Sequence, residues 1–174
     1  MIPQQCMERL LSSVIKMIVK EIRDEDFTSY KKPSMVIGFA KCSWKCEREC
    51  GMRVCQNSAL ATAPDIEIGY GHIVGRYLQN PITKAIIFAG LEPMDSWSDM
   101  VNLIDEFRKH TEDEIIVYTG YRMDEICRQT YWLGTKYNNI IFKFGRFIPN
   151  QQPHYDEVLG IKLASDNQHA ERIS

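Results

Sequence analysis

The sequence has no excess of charge of either sign. Its 21 Lys and Arg stand against 23 Asp and Glu, for a formal net charge of −2. Without a cationic surplus there is no electrostatic case for nucleic acid, and no such partner is expected. Long apolar runs are missing as well. The stretch LLSSVIKMIVK (residues 10–20) is broken by Lys16, with no basic segment ahead of it and no small-residue cleavage site behind it. It reads as neither a signal peptide nor a membrane span, so no membrane partner is expected. Internal repeats and low-complexity tracts are also lacking. What is there is ordinary for a soluble globular chain: 174 residues, 44% hydrophobic and 25% charged. That length suggests one domain able to bury a core without disulfide staples. The expected location is the reducing cytoplasm, where cysteines serve metals rather than disulfide frameworks.

The cysteines are concentrated. Four of the six, Cys42, Cys46, Cys50 and Cys55, fall in KCSWKCERECGMRVCQN, Lys41 to Asn57. Thiolates this close need a shared partner, and a soft metal or an iron–sulfur cluster is the usual one inside cells. The gap of three residues between Cys42 and Cys46 is wider than the two common in zinc knuckles. Spacing alone leaves a four-cysteine zinc site and an iron–sulfur cluster evenly matched, with free loop thiols as a third reading.

Periodicity supplies the setting. Leu10, Leu11, Val14, Ile15 and Ile18 recur at helical spacing, which suggests an amphipathic helix from Cys6 to Val19, although Ile18, Lys20 and Ile22 also fit a strand edge. Residues 24–33 form a polar loop ending in proline. Ser34 to Ala40 reads as a buried strand, so the cysteine loop follows a strand end. Further on, the pattern predicts a helix over 69–79, a strand over 84–89, and a helix over 96–110 with Ser96 and Asp99 as a capping box. It then predicts a strand over 114–118, a helix over 123–133 with Gly134 as its C-cap, and a strand over 140–144. Cys127 is expected to be a buried thiol. The tail is loop-rich, with a last strand over 158–163. Strands alternating with helices imply βαβ units on a parallel sheet, whose strand ends are where chemistry collects.

Short motifs sit at those ends. The Cys-x3-Cys loop closes on Cys55-Gln56-Asn57, Gly90-Leu91-Glu92-Pro93 follows the next strand, and Tyr118-Thr119-Gly120-Tyr121 the one after. Gly145-Arg146-Phe147-Ile148 and Ser165-Asp166-Asn167-Gln168 complete the series. In this order the sequence resembles the radical S-adenosylmethionine (SAM) superfamily, and within it the small activating proteins of anaerobic ribonucleotide reductase. Those proteins have Cys-x-Asn at the last ligand, Gly-Gly-Glu-Pro, the same Tyr-Thr-Gly-Tyr and a Ser-Ser-Asn-Gln ending. The resemblance runs from Met17 to the C-terminus, which makes residues 17–174 the expected 4Fe–4S domain and 1–16 an N-terminal extension. The implied fold is α/β, a curved and mostly parallel sheet forming an incomplete (β/α) barrel, in a chain shorter than the roughly 250 residues of a closed one.

The resemblance also implies a site. A 4Fe–4S cluster held by three cysteines leaves one iron open for SAM, whose reductive cleavage releases a 5′-deoxyadenosyl radical. Cys42, Cys46 and Cys55 are the favoured ligands, because Asn57 follows Cys55 as in the family; Cys42, Cys46 and Cys50 are the rival set. Gly90, Leu91, Glu92 and Pro93 would hold the SAM ammonium, with Leu91 standing where the family has glycine. Thr119 and Tyr121 would meet the ribose or carboxylate, and Asn57 would brace the loop or touch SAM. The local alternatives are a helix-terminal charge for Glu92, a turn for Thr119 and a cap for Asn57. The implied partners are a glycyl-radical enzyme such as anaerobic ribonucleotide reductase and reduced flavodoxin or ferredoxin as electron donor. The other classes are a radical SAM enzyme acting on another substrate and a non-catalytic four-cysteine zinc module.

Overall fold

A computed structural model describes residues 15–174. Of the predicted helix over 6–19, residues 6–14 lie outside them and 16–19 are strand instead; the extension 1–16 lies outside them but for its last two residues. From Lys16 the chain is extended, the first strand β1 spanning Lys16–Asp26. It turns through a short polar loop into β2 (Ser34–Phe39), too short a link for a crossover, so the two pair antiparallel. After the cysteine loop, β3 (Ile66–Gly69) pairs antiparallel with the other edge of β1.

The next three strands are the ones the apolar runs predict: β4 (Ala85–Gly90), β5 (Glu114–Tyr118) and β6 (Ile140–Phe144). Each follows a helix long enough to carry the chain back, so β2, β4, β5 and β6 pair in parallel. Those helices are α3 (Tyr70–Gln79), α4 (Trp97–Arg108) and α5 (Met123–Lys136), while α1 (Lys45–Cys50) and α2 (Ser58–Ala61) belong to the cysteine loop. The strands are laid down in one direction, and right-handed crossovers therefore place all three long helices on one face. Ile73 and Tyr77 of α3, Leu103 and Phe107 of α4, and Ile126 and Leu133 of α5 cover Ile37, Phe88, Val117 and Phe142 there.

The opposite face carries Val36, Ile87, Ile116 and Ile141. It is covered by Tyr30 and by the hairpin of β7 (His154–Asp156) and β8 (Ile161–Leu163), through Leu159 and Leu163. The last strand, β9 (His169–Arg172), pairs antiparallel with β6. The sheet order is β3-β1-β2-β4-β5-β6-β9.

Several expectations need correcting. The α/β class holds, but the sheet is mixed and open rather than a mostly parallel incomplete barrel, because β1, β3 and β9 enter without helical crossovers and pair antiparallel. The expected final strand over 158–163 is only the second arm of the covering hairpin. The Ser96 side chain caps nothing, and Asp99 instead accepts a hydrogen bond from the Tyr70 hydroxyl at 2.8 Å. Gly134 lies inside α5, where a Cβ would stand 2.6 Å from the Ile173 carbonyl oxygen, so it admits the C-terminal segment rather than ending the helix. Cys127 is exposed, not buried.

Gly90 closes β4 at φ +94, and a Cβ there would lie 2.6 Å from Gly38 Cα and Phe39 N. Gly90→Ala should therefore cost about 1–3 kcal/mol or more from backbone strain and collision. Gly75, on α3 with open space around it, is the control, and Gly75→Ala should stabilise by about 0.4–1 kcal/mol. Urea unfolding of the two variants checks both signs.

Candidate functional site

The C-terminal ends of the parallel strands carry the motifs, and a cavity of about 380 Å³ opens among them. That is within the ~300–1,000 Å³ of small-molecule sites. Cys42, Cys46 and Cys55 line it together with Asn57, Gly90, Leu91, Glu92, Thr119 and Tyr121. Cys50, at the end of α1, does not, and Pro93 is buried at the start of the 3-10 turn Pro93–Ser96. Leu91 also borders a second hollow, which it shares with Cys42, Met17 and Trp44.

The four loop cysteines are free thiols, half-buried. Cys42 Sγ accepts from Trp44 N at 3.2 Å, and Trp44 itself sits at φ 57, a strained conformation for a bulky residue. Burial pushes the Cys42 thiol up to about 11, despite that bond, with Glu92, Asp95 and Cys46 adding to the rise. Cys46 is raised by burial and then by neighbouring Cys55. Both shifts keep these sulfurs protonated, and a metal's positive charge is what would release their protons. Among the described residues no three His, Cys, Asp or Glu side chains converge on a point suited to a single metal ion.

Glu92 is the centre of the strand ends. Only 6% exposed, it accepts from Met94 N (3.0 Å) and Thr119 Oγ1 (2.8 Å) on one oxygen and from Gly120 N (2.9 Å) on the other. Burial nevertheless raises its carboxyl to about 7, the three hydrogen bonds opposing the rise and Asp95 adding to it. Glu92 is thus both the cap of the 3-10 turn and a wall of the cavity. Thr119 is occupied twice, donating to Glu92 and accepting from Tyr121 N at 3.0 Å.

The cysteine loop is tied down from several sides. Asn57 forms no helix cap; its Nδ2 donates to the Gly90 carbonyl oxygen at 2.7 Å, fixing the far end of the loop to β4. Asp95 accepts from Ser43 N at 2.5 Å and from the Tyr121 hydroxyl at 2.6 Å. Arg146, 5% exposed, forks onto Glu125 with two bonds of 2.8 Å and lies 3.3 Å from Glu49 of α1. Those bonds hold Glu125 well below the usual range, at about 2. Lys45 joins at 3.2 Å and stacks over Tyr121 at 4.4 Å. The two late motifs dock on each other: Gln168 Nε2 donates to the Gly145 carbonyl oxygen at 3.2 Å and Asn167 Nδ2 to that of Arg146 at 2.8 Å. Sequence reasoning missed Asp95, Glu125 and Lys143 of β6, which also lines the cavity. No motif marks them; only the fold brings them in.

Glu92 sets a pH dependence. Its folded value, about 7, lies above the ordinary 4.5, so the folded chain holds this proton more tightly than the unfolded one. The stabilisation is complete below pH 4.5 and is lost as pH rises through 7. Cluster-free protein should lose roughly 2–3 kcal/mol between about pH 5 and 7.5 by urea unfolding, and Glu92→Gln should flatten that slope.

No helix among the described residues is long and apolar enough to cross a membrane. No curated protein and no solved structure matches the chain. A family model described as a 4Fe-4S single cluster domain matches residues 34–165, from the first residue of β2 to the Ser165 turn, and so takes in the cysteine loop and every strand end around the cavity. With most of its length matched and its thiols gathered at one cavity, the chain belongs to the 4Fe-4S single cluster domain family.

Proposed function

We propose that this protein holds its cluster on Cys42, Cys46 and Cys55 and cleaves SAM reductively, as an activase that places a glycyl radical on a larger partner such as anaerobic ribonucleotide reductase. One observation carries the reading: three loop cysteines share a cavity with Gly90 to Glu92 and Thr119 to Tyr121, while Cys50 stands outside it. When bound, a three-thiolate cluster supplies an open iron for the amino and carboxylate groups of SAM and the electron that breaks its sulfonium bond into methionine and a 5′-deoxyadenosyl radical.

The chain's own residues do the positioning. Glu92 uses three of the roughly four acceptor sites of a carboxylate, leaving one for an N–H of the SAM amino group. Thr119 keeps Glu92 aimed, and Tyr121, its hydroxyl proton given to Asp95, keeps its oxygen as an acceptor for a ribose hydroxyl. Asn57 keeps the third thiol over β4 through Gly90. A reduced flavodoxin or ferredoxin in the cytoplasm would be the electron source.

Anaerobic reconstitution tests this directly. The wild type should turn brown with broad absorbance in the blue, and with dithionite and SAM it should yield 5′-deoxyadenosine. Cys42→Ala, Cys46→Ala and Cys55→Ala should each lose the cluster, whereas Cys50→Ala should keep it. Glu92→Gln should keep the absorbance but weaken SAM binding by about 1.5–3 kcal/mol, the worth of a charge-assisted contact. Leu91→Gly should leave turnover unchanged or raise it. A colourless, zinc-loaded protein, or a loaded one that binds SAM and never cleaves it, would remove the activase reading.

A further inference from the structure

Lys143 is out of place on its strand. It sits near the end of β6 among Ile140, Ile141, Phe142 and Phe144, on the face covered by the hairpin, and only 9% of it is exposed. Its ammonium makes one hydrogen bond, to the Gly145 carbonyl oxygen at 3.1 Å, and enters no ion pair among the described residues. The Tyr118 ring centre lies 6.0 Å away. Two of the three N–H donors therefore have no acceptor, on a charge largely removed from water. Burial lowers this lysine to about 8, against the pull of Glu92, which is felt but not bonded. A protein that buries an ammonium in this way either loses stability for nothing or leaves a place for an anion.

The register shows where that place is. Glu21 pairs with Gly38, Gly38 with Ala89, and Tyr118 with Lys143, while Phe88 pairs with Val117 one step before. One row thus crosses the sheet as Glu21, Gly38, Ala89, Tyr118 and Lys143, and all but Gly38 line the cavity. The space over Gly38 is taken by Glu21 and Leu60, which would stand 2.8 and 3.5 Å from a Cβ there. Val36, Ile87 and Ala89 give the wall an apolar stretch on the side away from the cysteines. The cavity therefore reaches from the thiol rim past Ala89 and Tyr118 to the Lys143 ammonium.

We propose that Lys143 is the recognition group of an oxyanion subsite at the inner end of this cavity, which takes a small monocarboxylate. The glycine that an activase attacks lies inside a polypeptide and carries no carboxylate, so this ligand is a further one and the subsite does not rest on the SAM-cleaving reading. A monoanion fits better than a phosphate dianion, because Glu92 lies close enough to repel excess negative charge. Ala89 and Ile87 offer a short aliphatic body an apolar surface beside the carboxylate. Lys143 is a binding residue here, separate from the cluster ligands and from the Glu92 cradle.

N-acetylglycine is the probe and neutral N-acetylglycinamide its control. Both are titrated into the full-length, cluster-reconstituted chain labelled at the lysine Cε, and the Lys143 resonance is followed by NMR across pH. N-acetylglycine should raise the Lys143 pKa and N-acetylglycinamide should not. Lys143→Met should weaken N-acetylglycine binding about tenfold or more while cluster absorbance and SAM affinity stay at wild-type values, and Lys143→Arg should retain most of the binding. Equal binding of acid and amide, or unchanged acid binding by Lys143→Met, overturns the subsite. Loss of SAM affinity in Lys143→Met would give the oxyanion to SAM and overturn a separate carboxylate subsite. Failure of SAM cleavage leaves the acid-binding result intact, so the two readings fail separately.

Discussion

A carboxylate buried without a cation is the constraint around which the strand ends are arranged. Glu92 cannot remain where it is unless donors come to it, and they come from three places: the 3-10 turn after β4, the Thr119 hydroxyl and the Gly120 amide. Accepting them fixes the spacing of β4 and β5 beyond the last ladder hydrogen bond. Thr119 N in turn donates to the Lys143 carbonyl oxygen at 2.9 Å, which carries the same alignment to β6. Each charged-group hydrogen bond is worth about 1.5–3 kcal/mol, yet burial still wins, as the elevated pKa of Glu92 records.

The cysteine loop depends on that platform. A stretch rich in charge and poor in apolar residues cannot fold by burial, and α1 contains no buried residue. It is held instead by polar contacts to strand ends that are already fixed: Asn57 on Gly90, Ser43 on Asp95, and Lys45 and Glu49 around Arg146 and Glu125. The Arg146 fork is planar and bidentate, so it sets direction as well as distance. Gly145, at φ +99, turns the chain so that Arg146 can reach it, and the Asn167 and Gln168 side chains lock the turn from behind.

Much of this was legible in the sequence, and the reasons are local. Strands β2, β4, β5 and β6 are buried on both faces and read as uninterrupted apolar runs. The helices between them have clear stripes. β1 was left open between helix and strand edge because its alternating Lys, Glu and Arg are exposed on one side, and β3 and β9 were hidden because each is four residues long at an edge. Those three strands carry the antiparallel pairings, so missing them also misjudged the sheet. Around the cavity, the fold gathers the favoured site residues named from the sequence, all but Pro93. Asp95, Glu125 and Lys143 were not named, since a carboxylate on a helix and a lysine in a strand look like solvated surface until the fold encloses them.

Opposite charges left unjoined give the cavity its character. Glu92 and Lys143 are felt by one another but form no ion pair, and each stays near a neutral-pH titration point because burial works against its charge. Had they paired directly, each would have been held firmly charged and the site closed to ionic ligands. Held apart on separate strand ends, Glu92 and Lys143 both face the cavity without a salt bridge between them. A rigid parallel sheet is what holds such a pair apart, for its ladder bonds fix the row of strand ends more firmly than any loop could.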